Sequence, residues 1–442
     1  MKRLFFTVLL LPSLLLAQHT IKGTFSPAKE YNFALLYKVN PTMSDYVTNA
    51  EIGEDGSFEF KLDSTNTKGT YRLVYAVPQE DYNFDIIYNG KEDIELVFNS
   101  ETGVEFKKSN ENKLLASYTN SMSMVTQSIG NYFSQESKDT MALKAIFKTQ
   151  KETQESFEKL AKNTRALAFI KANKPYIPKK IVDVNTYINY LKKHYFDYVD
   201  FNDSILQSSN FLEERMLNYV FGMSSGSKDE LENYKENIDV VYSQMKMAPE
   251  EVQRILLFDL WQQMADLKHE SVSNYIAENY LMDVAVNLND QELLQSLILY
   301  QNLSKGTVAP DFDVEIKEKD KVITKKLTEL KGAENYVIVF WSSTCSHCLD
   351  EVPQLQKFVN SLEENKVQVV AIGLEDEPYG WKNLTYDYPE FIHVYGEGKW
   401  DNEIGDAYGV TSTPTYFVLD KDKKIVVKPL DFDVLKEYFE TK

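Results

Sequence analysis

Cysteine is nearly missing from this 442-residue chain: it occurs twice, as Cys345 and Cys348. The pair alone falls short of the roughly four ligands that a structural zinc site takes. Its two-residue spacing also closes too small a loop to restrain much unfolded-chain entropy, so it is no structural staple. No stretch beyond the N-terminus has the roughly 20 apolar residues that a membrane-spanning helix needs. Repeats and long low-complexity segments are absent as well. Positive charge is scarce, with 48 Lys and Arg against 67 Asp and Glu, a formal net charge of −19. A surface of that sign repels phosphate backbones and anionic lipid, which excludes nucleic acid as a partner. What is present in ordinary measure is apolar residues, 43% of the chain. That is enough to build sizeable cores in two or three domains.

The chain opens with Met1, Lys2 and Arg3, followed by an apolar stretch from Leu4 to Ala17. That pattern predicts a secretory signal peptide over residues 1–17, cleaved after Ala17 to leave Gln18 first. An uncleaved anchor is the alternative. No cysteine lies near residue 18, so a lipoprotein is not expected. Loss of Lys2 and Arg3 makes the mature chain more negative still, with no transmembrane span. The expected location is the periplasm, an oxidising compartment. There, a lone cysteine pair is better explained by reactivity than by stability.

Period-two alternation runs through residues 18–108. Tyr31, Phe33, Leu35, Tyr37 and Val39 point one way. Phe58, Phe60 and Leu62 follow the turn at Gly56, and Tyr71, Leu73, Tyr75 and Val77 come next. Asn89-Gly90 separates two further alternating runs, a strong hairpin pattern. Seven or eight short strands predict an N-terminal antiparallel β-sandwich accessory domain. From 109 to 303 the period becomes helical, with five to seven helices expected. One long helical pattern runs from Ala142 to Ile170, and Ser227 to Glu230 forms a capping box. His194 and His269 stand alone in helical surroundings and read as packing or surface residues. From 304 to 442 strands and helices alternate, with a hairpin expected around Lys317–Lys321 and one or two helices between Trp381 and Val410, predicting a C-terminal α/β domain. The whole is a multidomain α+β protein.

The dithiol lies in Trp341-Ser-Ser-Thr-Cys345-Ser-His-Cys348, directly after the apolar run from Tyr336 to Phe340. An aliphatic run ending in Cys-x-x-Cys reads as a strand delivering two thiols to the start of a helix. A helix N-terminus, a neighbouring sulfur and His347 all favour the thiolate of the first cysteine. A thiolate attacks disulfides, and a second thiol nearby resolves the mixed disulfide.

Residues 304–442 resemble the thioredoxin fold of the ResA/TlpA-like thiol–disulfide oxidoreductases, within the wider AhpC/TSA superfamily. The residues that carry the resemblance are Ala309-Pro-Asp-Phe312, Phe340-Trp341, Cys345-Ser-His-Cys348, Glu351 with Pro353, and Tyr408-Gly-Val-Thr-Ser-Thr-Pro414-Thr-Tyr-Phe417. The arrangement of leader, β-domain, helices and redox domain also resembles exported multidomain thioredoxin-family proteins. The resemblance implies that Cys345 is the exposed nucleophile and that Cys348, one turn inside, resolves. It implies a cis Pro414 facing the dithiol, with Trp341, Thr413 and Pro414 as substrate-binding residues. It implies that Glu351, one turn beyond Cys348, takes the proton of the resolving thiol through a raised carboxyl pKa. Thioredoxin's own buried carboxylate falls at Val339 here. Pro353 is expected to kink the active-site helix.

The function so implied is exchange of disulfides with protein substrates. No cofactor is expected beyond a redox-active Cys345–Cys348 disulfide, and no metal. An upstream electron donor or acceptor is implied as a partner. His347 also stands at this position in DsbA, a strong oxidant at about −120 mV against roughly −270 mV for thioredoxin. The family leans toward reductases, often serving cytochrome c maturation, and reduction is the favoured direction. A peroxidase is disfavoured, because Ile338 and Ser342 occupy the positions where the peroxidatic Pro and Thr belong. The remaining alternative is a partner-binding protein whose redox domain is auxiliary.

Overall fold

The computed structural model describes residues 19–223, 229–318 and 321–441. The leader expected at 1–17 lies outside these residues, as does the Ser227 end of the expected capping box. Asp229 caps that helix instead, accepting from the Leu231 N–H. The chain divides into two compact units, one ending at Gln263 and the other beginning at Met264.

In the first unit eight strands follow in order: β1 (His19–Ser26), β2 (Phe33–Val39), β3 (Ser44–Glu51), β4 (Ser57–Leu62), β5 (Gly69–Val74), β6 (Asn83–Tyr88), β7 (Ile94–Asn99) and β8 (Gly103–Lys108). They form two four-stranded sheets, β4-β1-β7-β8 and β3-β2-β5-β6. All pairings are antiparallel except β1 with β7, which is parallel. One shared core holds Phe25, Phe58, Phe60, Leu73, Ile86, Leu96 and Phe98, as alternation predicts. The β2 strand is a correction. Ala34 and Leu36 fill the core, while Phe33, Leu35 and Tyr37 are only half-buried. Against β5 the strand keeps its register, with Leu36 opposite the buried Leu73, and alternation by itself does not say which face a strand buries.

Helices Asn110–Ser134 and Thr140–Leu160 follow, capped by Ser109 and Asp139. The single long pattern expected up to Ile170 is broken. Asn163 takes a left-handed φ of 70°, and a separate short helix covers Ala166–Ala172. Asparagine tolerates that conformation better than most residues, so the helix turns there.

The second unit begins about 40 residues before the 304 boundary expected from the sequence. The helices Glu270–Ile276, Met282–Asn287 and Gln291–Asn302 belong to it. Leu303 sits in the core of the α/β layer with Phe312, Ile338, Phe340, Leu419 and Ile425, and Leu299 packs against it. Glu270 accepts the Lys305 N–H at 2.7 Å and pairs with Lys428. Gly409, at φ 61°, leaves room for Leu299 and Leu303, which a Cβ there would meet at 3.3 and 3.5 Å.

The remaining strands are β9 (Asp313–Glu318), β10 (Lys321–Lys326), β11 (Asn335–Trp341), β12 (Val367–Glu375), β13 (Ile392–Glu397), β14 (Thr415–Asp420) and β15 (Ile425–Val427). β9 and β10 form the expected hairpin. The others form a five-stranded sheet in the order β13-β12-β11-β14-β15, with β11 central. β12 runs parallel to β11, and β14 antiparallel. β13 falls between Trp381 and Val410, where one or two helices are expected from the sequence. Helices lie on the sheet, and β11 is buried on both faces, as a central strand in a covered sheet must be.

Candidate active site

The end of β11 delivers the dithiol. Cys345 is the N-cap of the helix Ser346–Val359, and its sulfur accepts the Cys348 N–H at 3.3 Å. Its backbone is extended, at φ −92° and ψ 116°. The first helical turn leaves N–H groups unpaired, and a sulfur at the N-cap satisfies one of them. Cys345 is partly exposed, Cys348 is fully buried, and both are free thiols. Pro353 stands inside the helix.

The opposite wall is the segment before β14. The Thr413–Pro414 peptide is cis, and the Cys345 thiol donates to the Thr413 carbonyl at 3.3 Å. Thr413 and Pro414 are half-buried beside the reactive sulfur.

Two thiols in one motif are driven in opposite directions. Burial alone pushes Cys345 up. Hydrogen bonds from the Cys348 and Thr413 side chains and from the backbone N–H groups of Cys348 and His347 outweigh it. The net value lies below the ordinary 9.0. Cys348 is pushed up to about 12, first by burial and then by its hydrogen bond to Cys345. Of the two, the outer sulfur is the one that ionises more readily. The contribution of His347 comes through its main-chain N–H, and the residue itself is exposed.

Glu351 lies one turn beyond Cys348. Its Oε2 accepts the Tyr416 hydroxyl at 2.9 Å and the Phe432 N–H at 3.1 Å. Tyr416 is buried, and burial together with the Glu351 carboxylate raises its hydroxyl far above the usual phenol range. The hydroxyl is therefore a fixed donor that orients the carboxylate. Sequence reasoning passed over Tyr416, whose place two residues after Pro414 on β14 turns it under the dithiol helix.

Trp341 is a correction. It is fully buried, in a core with Val339, Val352, Val369, Tyr388 and Phe391, and its ring meets Tyr388 edge-on at 6.0 Å. It has no face to offer a substrate. An apolar run in a central strand does not reveal where exposure begins, and β11 stays covered to its last residue.

Sequence reasoning also passed over Glu375, the last residue of β12. It is 4% exposed, and its Oε1 accepts the Ser343 N–H. The sequence gives no cue, because Glu375-Asp-Glu377 reads as a solvated acidic run.

Residues 305–428 match the AhpC/TSA family, and residues 144–285 match a domain of unknown function, DUF5106. Among curated proteins, the chain is 29% identical over 127 residues to the thiol-disulfide oxidoreductase ResA of Bacillus thuringiensis (strain Al Hakam), covering 28% of this chain and 69% of that protein. ResA of Bacillus subtilis (strain 168) is 25% identical over 126 residues, covering 28% and 67%. Among solved structures, a thioredoxin-like protein from Bacteroides caccae aligns at a TM-score of 0.32 and 18% identity. That alignment covers 60% of this chain and 97% of the other. The thioredoxin domain of a thiol-disulfide oxidoreductase from Bacteroides vulgatus aligns at a TM-score of 0.28 and 24% identity, covering 31% and 97%. With its sheet order and its paired thiols, the segment 305–428 is a thioredoxin-like domain of the AhpC/TSA family, and the activity it carries is that of a thiol–disulfide oxidoreductase.

Proposed function

We propose that this protein is exported to the periplasm and reduces disulfides in protein substrates through Cys345 and Cys348. One observation carries the reading. A part-exposed sulfur with a lowered pKa caps a helix beside the Thr413 backbone, and its partner thiol is buried one turn below. Export is supported by the basic start and apolar stretch of residues 1–17. Among the described residues, no helix is long and apolar enough to cross a membrane.

The Cys345 thiolate attacks one sulfur of a substrate disulfide. A mixed disulfide forms, and the other substrate sulfur leaves as a thiolate. Cys348 then loses its proton and attacks the Cys345 sulfur, which frees the second substrate thiolate. Two electrons have passed to the substrate, and Cys345–Cys348 is left as a disulfide for an upstream donor to reduce. An extended substrate segment pairs along Thr413 and Pro414, next to the attacking sulfur. Glu351 takes the Cys348 proton, held in place by Tyr416 and Phe432.

The redox equilibrium with glutathione tests the direction. A potential nearer thioredoxin's roughly −270 mV than DsbA's about −120 mV supports reduction. A value near the latter assigns oxidation instead. For the proton acceptor, Glu351→Gln is expected to slow resolution of a preformed mixed disulfide by about 10²-fold at neutral pH. First attack by Cys345 should stay within a few-fold of wild type. Stopped-flow single turnovers separate the two steps, and an unchanged second step removes Glu351 from the mechanism.

A further inference from the structure

Three residues, Ser342 to Thr344, connect β11 to Cys345, and their geometry sets where the reactive sulfur stands. Ser342 is buried. The Thr344 N–H donates to the Ser342 hydroxyl oxygen at 3.2 Å, and the two hydroxyls meet at 3.0 Å. The Cys345 N–H donates to the Ser342 carbonyl at 3.2 Å. Those bonds are internal to the loop. The Ser342 backbone also reaches the Cys348 thiol, and the Ser343 N–H ties the loop to the next strand through the Glu375 carboxylate. The β11–β12 register brings the two together, since Trp341, the last residue of β11, lies opposite Gly373, and Ser343 and Glu375 each stand two residues further along the chain.

A carboxylate this deeply buried is costly unless it is hydrogen-bonded. A neutral acceptor would satisfy the same N–H. Placing a carboxylate there adds a negative charge against the backbone of Ser343, which precedes Cys345 by two residues in the chain. Charges held away from bulk water interact more strongly than they do in solvent. A nearby anion disfavours a thiolate. A less stable thiolate makes the disulfide less oxidising and the dithiol a stronger reductant.

We propose that Glu375 is a positioning residue of the dithiol site, clamping the strand-to-helix loop through the Ser343 N–H while its charge holds the Cys345–Cys348 pair on the reducing side. The inference rests on the oxidoreductase reading above. Cys345 faces Cys348 and the His347 N–H, Glu351 and Tyr416 stand by Cys348, and Glu375 shares its surroundings with Tyr395 of β13, Asp376 and Glu377. All of these but Glu375 are unchanged in the variants below.

Glu375→Gln keeps an acceptor for Ser343 and removes the charge, whereas Glu375→Ala removes both. Two readouts are taken on the full chain: the pH midpoint of Cys345 alkylation by iodoacetamide, and the equilibrium with glutathione. Glu375→Gln is expected to move the midpoint to lower pH. It should also shift the equilibrium three- to tenfold toward the dithiol, with insulin reduction retained. Glu375→Ala is expected to show the same shifts and a slower first attack. If the Ala variant fails to fold, the Gln variant decides alone, because a purely structural acceptor would leave both readouts where they were. An unmoved midpoint together with an unmoved equilibrium in Glu375→Gln overturns the inference. A wild-type protein that exchanges no disulfide with glutathione would instead overturn the oxidoreductase reading, and this inference with it.

Discussion

Cys345→Ala is expected to abolish insulin-disulfide reduction, with a loss on the order of 10³-fold or more, the scale seen when a nucleophile is removed. Cys348→Ala should behave differently. Attack by Cys345 still occurs, but the resolving sulfur is gone, so a mixed disulfide with the substrate accumulates and can be isolated on a non-reducing gel. The asymmetry follows from the two environments. Cys345 is part-exposed, caps the helix and has its pKa lowered. Cys348 is buried and raised to about 12. The pH dependence has a definite sign. Alkylation of wild type rises with pH as the Cys345 thiolate forms, with its midpoint below 9.0, and Cys348 stays silent across that range. Equal loss in both variants with no trapped adduct would contradict the assignment of roles. Activity that survives Cys345→Ala would favour a partner-binding protein.

Trp341→Ala is expected to cost about 3–5 kcal/mol, the usual toll of truncating a large buried aromatic. In a unit of this size, that is a fall in melting temperature of roughly 6–20 °C. Trp341 is fully buried, packs on Tyr388, and its Nε1 has no hydrogen-bond partner among the described residues. That last detail separates two substitutions. Trp341→Phe also deletes an unsatisfied N–H, which offsets part of the lost packing, and it should cost only about 1–2 kcal/mol. Thermal or urea unfolding of the full chain measures both. A weaker substrate KM with unchanged stability would restore Trp341 as a contact residue.

The reactive pair was legible because its chemistry is written in adjacent residues. Cys345, Cys348 and Pro414 stand where the motifs put them, and Glu351 lies on the expected turn of the helix. What the motif does not contain is the company each residue keeps across the sheet. Tyr416 reaches Glu351 from β14 and Glu375 reaches Ser343 from β12, through registers that no local spacing encodes. Trp341 was misplaced for a related reason. Alternation marks the boundary between inside and outside only when one face of a strand is wet, and β11 has none. β13 was missed because Ile392 to Glu397 mixes His, Tyr and Gly with its two aliphatics, too short and polar a run to compete with the helical reading around it. In the accessory domain the strand count was readable, yet both rows of β2 carry apolar residues, and packing rather than alternation chose Ala34 and Leu36 for the core.

The division of the chain at Met264 bears on how its redox part can be produced for study. A truncation starting at residue 304 would discard Leu299 and Leu303, baring the apolar surface they cover around Gly409, and would strip Lys428 of its Glu270 counter-ion. Such a fragment should aggregate or melt early, while one starting near residue 264 keeps that flank sealed. Instability of the shorter piece would then report a misplaced cut rather than any dependence of the thiol chemistry on the N-terminal half.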